Sequence, residues 1–398
     1  MPFHRIFLIV MDSVGIGAEP DAEKFGDQGT NTFVHTAAYC HGLNIPNLNA
    51  LGIADLAPIE GTSVVSHPKS YVQTLREASN GKDTLTGHWE MMGILTPHPL
   101  VTFTETGFPK ELIEELEEKT GRKVIGNYSE SGTVILKQLG EQQTRDGSLI
   151  VYTSADSVLQ IAANVEKMPL EELYRDCEIA REITMRPEWK VGRVIARPYV
   201  GKNKDDFTRT SDRKDYALSP SGRTALDDLN KAGLDVIAVG KIHDIFNGLG
   251  MTRSLHTVSN EDGMEKTIAL AKEDFHGLCF VNLVEFDSLY GHRRNPLGYG
   301  KAIEEFDKKL GELLPLLKED DLLMITADHG NDPTHTGTDH TRERVPLLNY
   351  SPKYQNGRKL EERETFAVIG KTVLNNFSVK PSRNQIGTPI EELLDVKA

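Results

Sequence analysis

The segment DLLMITADHG, residues 321–330, holds a largely apolar run that is followed by an aspartate, a histidine and a glycine. Such a run is typical of a β-strand that is covered on both faces of a parallel sheet. Residues 6–12, 148–156, 234–240 and 278–287 share this pattern. Helical patterns, as at residues 224–233 and 298–317, alternate with these strands. The alternation predicts an α/β fold with a mostly parallel central sheet flanked by helices.

The domain organisation follows from where the composition changes. A chain of 398 residues exceeds one simple core, which favours two domains. The middle of the chain is richer in Glu, Lys and Arg, and the most distinctive motifs lie on both sides of it. We therefore predict a discontinuous catalytic core, residues 1–98 and 218–398, with an α+β cap domain inserted at residues 99–217.

Charge and cysteine usage narrow the class of protein. The net charge of −14 argues against a broad nucleic-acid surface, although it does not exclude small anionic substrates. No apolar run approaches the ~20 residues of a membrane helix, and the amino terminus lacks a signal-peptide pattern. The three cysteines are far apart, which fits a reducing compartment. We expect a cytoplasmic protein without membrane or nucleic-acid partners.

Outside the middle segment, three of the predicted strands have an aspartate at or near their carboxyl end: Asp12, Asp287 and Asp328. In open α/β sheets, ligands bind beyond the carboxyl ends of the strands, so the three carboxylates are expected to converge. The alternative for any one of them is that it caps the following helix.

Histidines accompany two of these aspartates. His329 follows Asp328 directly, His340 lies eleven residues further on, and His292 lies five residues after Asp287. Carboxylate and imidazole are ligands for Mn, Zn or Fe, and six of them suffice for two metal ions. His335 lies in the same loop and is either a ligand or a bystander.

The stretch GKDTLTGHWEMMG, residues 81–93, supplies two hydroxyl groups in what its composition predicts to be a polar loop. Two metal ions clamp the attacking and leaving oxygens of a phosphoryl transfer, and such a site needs a nucleophile beside them. From the residues alone, Thr84 and Thr86 are both candidates, and a plain turn residue is the alternative for each.

Four motifs carry a family resemblance: VMDSVGIG, KDTLTGHWEM, EFDSLYGHRR and TADHGNDPTHTGTDHTRERVPLL. In order and spacing they resemble the phosphopentomutase family of the alkaline phosphatase superfamily, over essentially the whole chain. The resemblance implies an alkaline-phosphatase-like core and an isomerase that moves phosphate between carbons 1 and 5 of ribose or 2-deoxyribose, in nucleoside salvage.

The resemblance also assigns the catalytic and metal-binding residues. It implies that Thr84 is the nucleophile and is carried as phosphothreonine. It further implies two Mn²⁺ ions, one held by Asp12, Asp328 and His329, the other by Asp287, His292 and His340.

By the same resemblance, small-molecule sugar phosphates bind to Ser154, Asp156, Val158, Arg193, Ile195, Arg209 and Lys241. The planar fork of Arg grips phosphate through two hydrogen bonds, although solvated surface charge is the alternative for these cations. Asp156 is expected to orient the sugar hydroxyl or to act as a base towards it.

A sugar bisphosphate, such as glucose 1,6-bisphosphate or ribose 1,5-bisphosphate, is expected to prime the enzyme. The sequence does not fix the oligomeric state, and a monomer is the expectation.

Three other functions remain open on the sequence. A cofactor-independent phosphoglycerate mutase would use similar metal ligands with a serine nucleophile, and a phosphatase would pass the phosphoryl group to water. A non-catalytic metal-binding or sugar-phosphate-sensing protein would keep the ligands without needing a nucleophile beside them.

Overall fold

The computed structural model describes residues 2–154 and 156–395. Two compact units are present, one formed by residues 1–99 and 219–398 and the other by residues 100–218. The strands, in chain order, are β1 Arg5–Met11, β2 Ser70–Leu75, β3 Val124–Ser129, β4 Leu149–Thr153, β5 Val158–Asn164, β6 Arg193–Val200, β7 Thr208–Arg209, β8 Lys214–Ala217, β9 Asp235–Val239, β10 Arg253–Leu255, β11 Gly277–Leu283, β12 Asp321–Thr326 and β13 Val345–Tyr350.

The α-helices are α1 Thr32–Tyr39, α2 Pro46–Ala50, α3 Thr84–Met91, α4 Lys110–Thr120, α5 Gly132–Asp146, α6 Leu170–Ile183, α7 Ala225–Lys231, α8 Ile242–Ile245, α9 Asn260–Lys272, α10 Pro296–Leu313, α11 Val368–Asn376 and α12 Glu391–Leu394. Short 3-10 helices lie at Ala22–Phe25, Ile53–Asp55, Pro187–Trp189 and Leu314–Leu316, and a π-helical turn lies at Phe286–Gly291. In the part of the chain that the structure describes, no helix is both long and apolar enough to cross a membrane.

The larger unit is built on a seven-stranded sheet in the order β10-β9-β11-β1-β12-β13-β2. The first five strands of this order are parallel, whereas β13 runs antiparallel to both of its neighbours. Strands β1, β11 and β12 are buried along their whole length, as their continuous apolar runs predict. The α/β fold with a mostly parallel sheet is thereby confirmed.

A buried ion pair fixes the amino ends of the central strands. The Arg5 guanidinium donates to both carboxylate oxygens of Asp321, at 2.8 and 2.6 Å. It also donates to the carbonyls of Leu270, Ala271 and Glu273 around the end of α9. Because β1, β12 and α9 are joined here, the carboxyl ends of the strands are set in register on the opposite edge.

The smaller unit is built on a mixed sheet with the strand order β3-β4-β5-β6-β7, in which β8 also pairs with β6. One face packs against α4 and α6 around Leu159, Ile161 and Val194. Part of the other face is covered by α5, around Ile135 and Tyr199. This unit has its own apolar core on each side of its sheet.

Candidate active site

The first group of predicted ligands lies where β1 and β12 end side by side. Val10 pairs with Thr326 in the parallel register, so Asp12 and Asp328 leave neighbouring strands at the same level. The backbone N–H of Ser13 donates to the Asp328 carboxylate at 3.0 Å, which fixes its orientation. Ligand atoms of Asp12, Asp328 and His329 all lie within 4.8 Å of one another.

The charges of Asp12, Asp328 and His329 favour binding of a cation. Burial and the adjacent Asp328 carboxylate raise the pKa of Asp12. Burial alone lowers the pKa of His329, yet Asp328 and Asp12 raise that pKa well above the ordinary value of an imidazole. Each buried carboxylate therefore depends on nearby positive charge, which a divalent metal ion would supply more strongly than one protonated ring.

The second group lies around the π-helical turn. His292 Nε2 is 3.1 Å and His340 Nε2 is 3.4 Å from the Asp287 carboxylate. Burial alone raises the pKa of Asp287, but the imidazoles of His340 and His292 hold that pKa well below its usual range. Asp287, His329 and His340 also have ligand atoms within 4.8 Å of one another. His329 is thus within reach of both groups, whereas the sequence analysis placed it in the first alone.

The loop after β12 brings the histidines together. Gly330 and Thr341 exchange backbone hydrogen bonds of 3.1 and 2.8 Å, which closes the loop. The ring centroids of His329 and His340 are consequently 4.2 Å apart. His335 lies away from both groups, with its Nε2 3.8 Å from Asp27.

Unsatisfied polar atoms test whether these residues suit metal ions. Among residues 2–154 and 156–395, Asp12 Oδ1, Asp328 Oδ2 and His340 Nε2 are buried and make no hydrogen bond of good geometry, although each has an ion-pair contact, at 3.4, 3.1 and 3.4 Å respectively. Native interiors leave few buried polar atoms unpaired. Three such atoms, all oxygen or imidazole nitrogen, fit divalent metal ions.

Thr84 is the first residue of helix α3 rather than part of a loop. Asp83 caps the helix, because its carboxylate accepts from the backbone N–H of Thr86 at 3.0 Å. The Thr84 hydroxyl lies 3.1 Å from His329 Nε2. The positive end of the helix dipole therefore coincides with the hydroxyl that faces the carboxylate–imidazole groups.

Thr86 has a different environment, which separates the two threonines. Its hydroxyl is buried and donates to the Asp83 carboxylate at 2.6 Å. This contact closes the helix cap. The side chain of Thr86 is engaged in holding α3, while that of Thr84 reaches His329.

Two residues next to the ligands were not predicted as functional. His88 follows Thr84 by one helical turn, and its Nδ1 lies 3.1 Å from the Asp328 carboxylate and 2.9 Å from the Thr84 carbonyl. Asn282 donates to the Asp12 carboxylate at 2.7 Å. A polar Asn inside the buried run of β11 and a His four residues after Thr84 were the available sequence signals.

Most of the residues that were predicted to bind sugar phosphate lie on or beside one face of the smaller unit's sheet. Val158 pairs with Arg193 across β5 and β6, and Ile195 is the next residue of β6 on that face. Ser154 and the exposed Asp156 lie in the connection between β4 and β5.

Arg209 lies at the amino terminus of helix α5. A β-carbon on Gly132 would be 1.5 Å from Arg209 Nη2 and 2.7 Å from the Tyr152 hydroxyl oxygen. Because Gly132 has no side chain, the guanidinium of Arg209 has room at this position. Arg197, which was not predicted as a site residue, lies on the same face, where its Nε donates to Gln160 at 2.9 Å.

The arginines make this face electropositive. Burial lowers the pKa of Arg197, and the guanidinium groups of Arg213 and Arg209 lower it further. Positive charges gathered beside a helix amino terminus favour an anionic ligand. Lys241, in the larger unit, is half-buried and immediately precedes the short helix α8.

Comparison with known proteins gives the family. Residues 4–381 match the model of the metalloenzyme superfamily. A phosphopentomutase from Agathobacter rectalis is 58% identical over 98% of this chain and 99% of its own length. A phosphopentomutase from Clostridium perfringens is 56% identical over 98% of both chains. The chain belongs to the phosphopentomutase family.

Membership in the phosphopentomutase family confirms the resemblance read from the four motifs and makes the protein an isomerase, an intramolecular phosphotransferase. Among solved structures, the PH0037 protein from Pyrococcus horikoshii is 13% identical, with a TM-score of 0.50 over 97% of this chain and 100% of that chain. At that identity the likeness concerns the fold alone.

Proposed function

We propose that the enzyme interconverts ribose 1-phosphate and ribose 5-phosphate, and the 2-deoxyribose equivalents, through phosphothreonine at Thr84. The family membership supports the reaction class. The observation that carries the assignment of the nucleophile is the 3.1 Å approach of the Thr84 hydroxyl to His329 Nε2 at the amino terminus of α3.

Two divalent metal ions, for which we propose Mn²⁺, fit the two groups of carboxylates and imidazoles. When bound, they would favour the alkoxide of the threonine and neutralise charge on the transferring phosphoryl group. The proposed ligands are Asp12, Asp328 and His329 for one ion and Asp287, His292 and His340 for the other.

Several protein groups prepare these ligands. His292 Nδ1–H donates to the Thr338 carbonyl at 2.7 Å, which turns Nε2 towards the Asp287 carboxylate 3.1 Å away. His329 Nδ1–H donates to the Gly330 carbonyl at 2.9 Å, which turns its Nε2 towards Asp12 and Asp328. The side chains are therefore oriented before any substrate binds.

The proposed reaction has two transfers. First, the bond between phosphorus and Thr84 Oγ1 breaks while a bond from phosphorus to a sugar hydroxyl oxygen forms, and Asp156 accepts the proton of that hydroxyl. The sugar bisphosphate then presents its other phosphate. Its phosphorus bonds to Thr84 Oγ1, the sugar–oxygen bond to phosphorus breaks, and the freed oxygen regains a proton. The product is the isomeric monophosphate, and the phosphothreonine is restored.

Substrate contacts are proposed for Arg193 and Arg209, which would bind phosphate, and for Lys241. Guanidinium groups suit phosphate because their planar donors match two oxygens at once. Ser154, Asp156, Val158 and Ile195 are proposed to contact the sugar. The electropositive face around Arg209 supports this assignment.

The proposed cycle requires an enzyme that is already phosphorylated. A sugar bisphosphate, such as glucose 1,6-bisphosphate or ribose 1,5-bisphosphate, would supply the phosphoryl group to Thr84. We further propose that the enzyme acts as a cytoplasmic monomer in the salvage of nucleosides and pentose phosphates.

Mass spectrometry of the primed enzyme tests the proposal. Protein incubated with Mn²⁺ and glucose 1,6-bisphosphate should carry one phosphate on the peptide that contains Thr84. A Thr86→Ala variant should be phosphorylated to the same extent, and a Thr84→Ala variant should not be phosphorylated there.

Parallel assays with ribose 1-phosphate, 3-phosphoglycerate and p-nitrophenyl phosphate test the substrate class. Isomerisation of the pentose phosphate should exceed turnover of the other two. Full mutase activity in Thr84→Ala, or phosphate only on Thr86, would refute the assignment of the nucleophile.

A further inference from the structure

Arg294 joins three segments of the chain around the second ligand group. Its Nε donates to the Gly337 carbonyl at 2.6 Å and its Nη2 to the Asp339 carbonyl at 2.8 Å. Its Nη1 donates to the Gly291 carbonyl at 2.8 Å and also to the Asn331 side-chain oxygen. One half-buried guanidinium thus uses all of its nitrogens on loop acceptors.

Two of these acceptors immediately precede proposed metal ligands. Gly291 comes directly before His292, and Asp339 comes directly before His340. The centroids of the two imidazole rings are 4.7 Å apart. By holding both backbones through one rigid planar group, Arg294 sets the separation of the two imidazoles.

The third ligand is reached through Asn331, which is fully buried. Its Nδ2 donates to Asp287 Oδ1 at 2.8 Å, while its side-chain oxygen accepts from Arg294. Its own backbone N–H is held by the Ser13 carbonyl at 3.1 Å, so the amide cannot swing freely. The guanidinium therefore also orients the Asp287 carboxylate.

The backbone at Arg294 shows that the position is constrained. Its φ of 49° lies in the left-handed region, which is unfavourable for a residue with a side chain. The four side-chain hydrogen bonds offset this cost. Arg293, its neighbour, is exposed and offers a matched control.

We propose that Arg294 is a positioning residue that sets the affinity of the Asp287–His292–His340 group for a divalent metal ion. In the described part of the chain, none of its hydrogen bonds reaches a residue adjacent to Asp12 or Asp328. The affinity of that other group is therefore largely independent of it. The inference rests on the proposed metal-dependent function.

Calorimetry of Mn²⁺ binding to the metal-stripped protein tests the inference. Wild type and Arg293→Ala should show two binding classes of the same affinities. Arg294→Ala should weaken one class by about 10- to 100-fold, as loss of groups that orient ligands usually does. The other class should change less than about threefold, since none of the hydrogen bonds of Arg294 reaches a residue adjacent to Asp12 or Asp328.

Ligand variants identify the classes. In an Asp12→Asn background the remaining class belongs to the Asp287 group, and Arg294→Ala should weaken it to the full extent. In an Asp287→Asn background, the same change should have little effect. If Arg294→Ala fails to fold, Arg294→Lys retains the charge with fewer donors and should weaken the same class.

Melting curves of each variant, recorded without metal and with Mn²⁺, separate positioning from general stability. Arg294→Ala should lose much of the increase in melting temperature that Mn²⁺ gives the wild type. Equal weakening of both classes, or unchanged affinities, would overturn the inference.

The wild-type binding curve alone tests the proposed number of metal ions. If it shows one class, that class must be lost in Asp287→Asn and weakened in Arg294→Ala, or the inference fails. If no Mn²⁺, Co²⁺ or Zn²⁺ binds to wild type, the metal-dependent function and the inference both fall.

Discussion

Replacing Thr84 or Thr86 by valine should separate catalysis from stability within one short helix. Valine keeps the β-branched shape of threonine and removes only the hydroxyl. The two residues lie in the first turn of α3, so both changes have the same effect on helix propensity. Any difference between the variants therefore reports on the hydroxyl contacts.

The structure gives the size of each effect. Thr86→Val removes a 2.6 Å hydrogen bond to the Asp83 carboxylate, and hydrogen bonds to charged groups contribute about 1.5–3 kcal/mol. Thr84→Val removes a 3.1 Å contact with His329 at a half-buried position, which is worth about 0.5–1.5 kcal/mol. In activity the order reverses, because loss of a nucleophile typically lowers kcat by about 10⁴-fold or more.

Two measurements check this prediction. Urea denaturation of the metal-free protein should show the greater loss of unfolding free energy in Thr86→Val. Conversion of ribose 1-phosphate by primed enzyme should be abolished in Thr84→Val and remain within about tenfold of wild type in Thr86→Val. Equal loss of activity in the two variants, with Thr84→Val also the less stable one, would refute the division of roles.

Three further changes test other parts of the chain. Asp321→Asn leaves the buried Arg5 guanidinium without its carboxylate and should lower the free energy of unfolding by about 3–5 kcal/mol in urea, whereas an unchanged value would show that the carbonyl acceptors suffice. Burial raises the pKa of Glu343 from 4.5 to about 7, so the unfolded chain releases this proton first and wild-type stability falls as pH rises across that window. In metal-free protein, Glu343→Gln should therefore gain up to about 3 kcal/mol over wild type between pH 5 and pH 8, and a constant difference would contradict the assigned pKa. Gly132→Ala should displace Arg209 and raise KM for ribose 5-phosphate about tenfold with kcat little changed, while a fall in kcat alone would argue against a phosphate contact.

The central strands were predictable from the sequence because they are buried on both faces. Their exact ends were not. The apolar runs predicted strands up to Asp287 and Gly330, but β11 ends at Leu283 and β12 ends at Thr326. Beyond those points the chain leaves the ladder, and a π-helical turn carries Asp287. The periodicity of apolar residues in the sequence does not predict where a strand stops pairing with its neighbour. It does not predict the order of strands in the sheet either.

The convergence of Asp12 and Asp328 could be anticipated, since parallel strands deliver their next residues to one edge of a sheet. The position of His329 between two ligand groups could not. It depends on the closure of the loop by Gly330 and Thr341, a pairing that spans a segment without regular periodicity. The roles of all these residues as metal ligands remain predictions.

The helix that begins at Thr84 was missed because its residues favour a loop when considered alone. TLTGHWEM contains two threonines and a glycine, which are weak helix formers. Tertiary contacts override this preference: the Asp83 cap satisfies the first turn, and Glu90 accepts from the backbone N–H groups of Ala78, Ser79 and Phe366. The helix is stable where it packs rather than where its propensity is high.

Gly87 explains why a weak helix former is needed at this place. A β-carbon there would lie 2.2 Å from the Asp328 carbonyl oxygen, so only glycine lets α3 approach the end of β12 this closely. The close approach is what brings Thr84, nearly one turn earlier, within 3.1 Å of His329. The residue that weakens the helix pattern in the sequence therefore also sets the position of the proposed nucleophile. A polar loop could carry the same hydroxyl, but it would not hold the hydroxyl at a helix amino terminus beside the buried His329 imidazole.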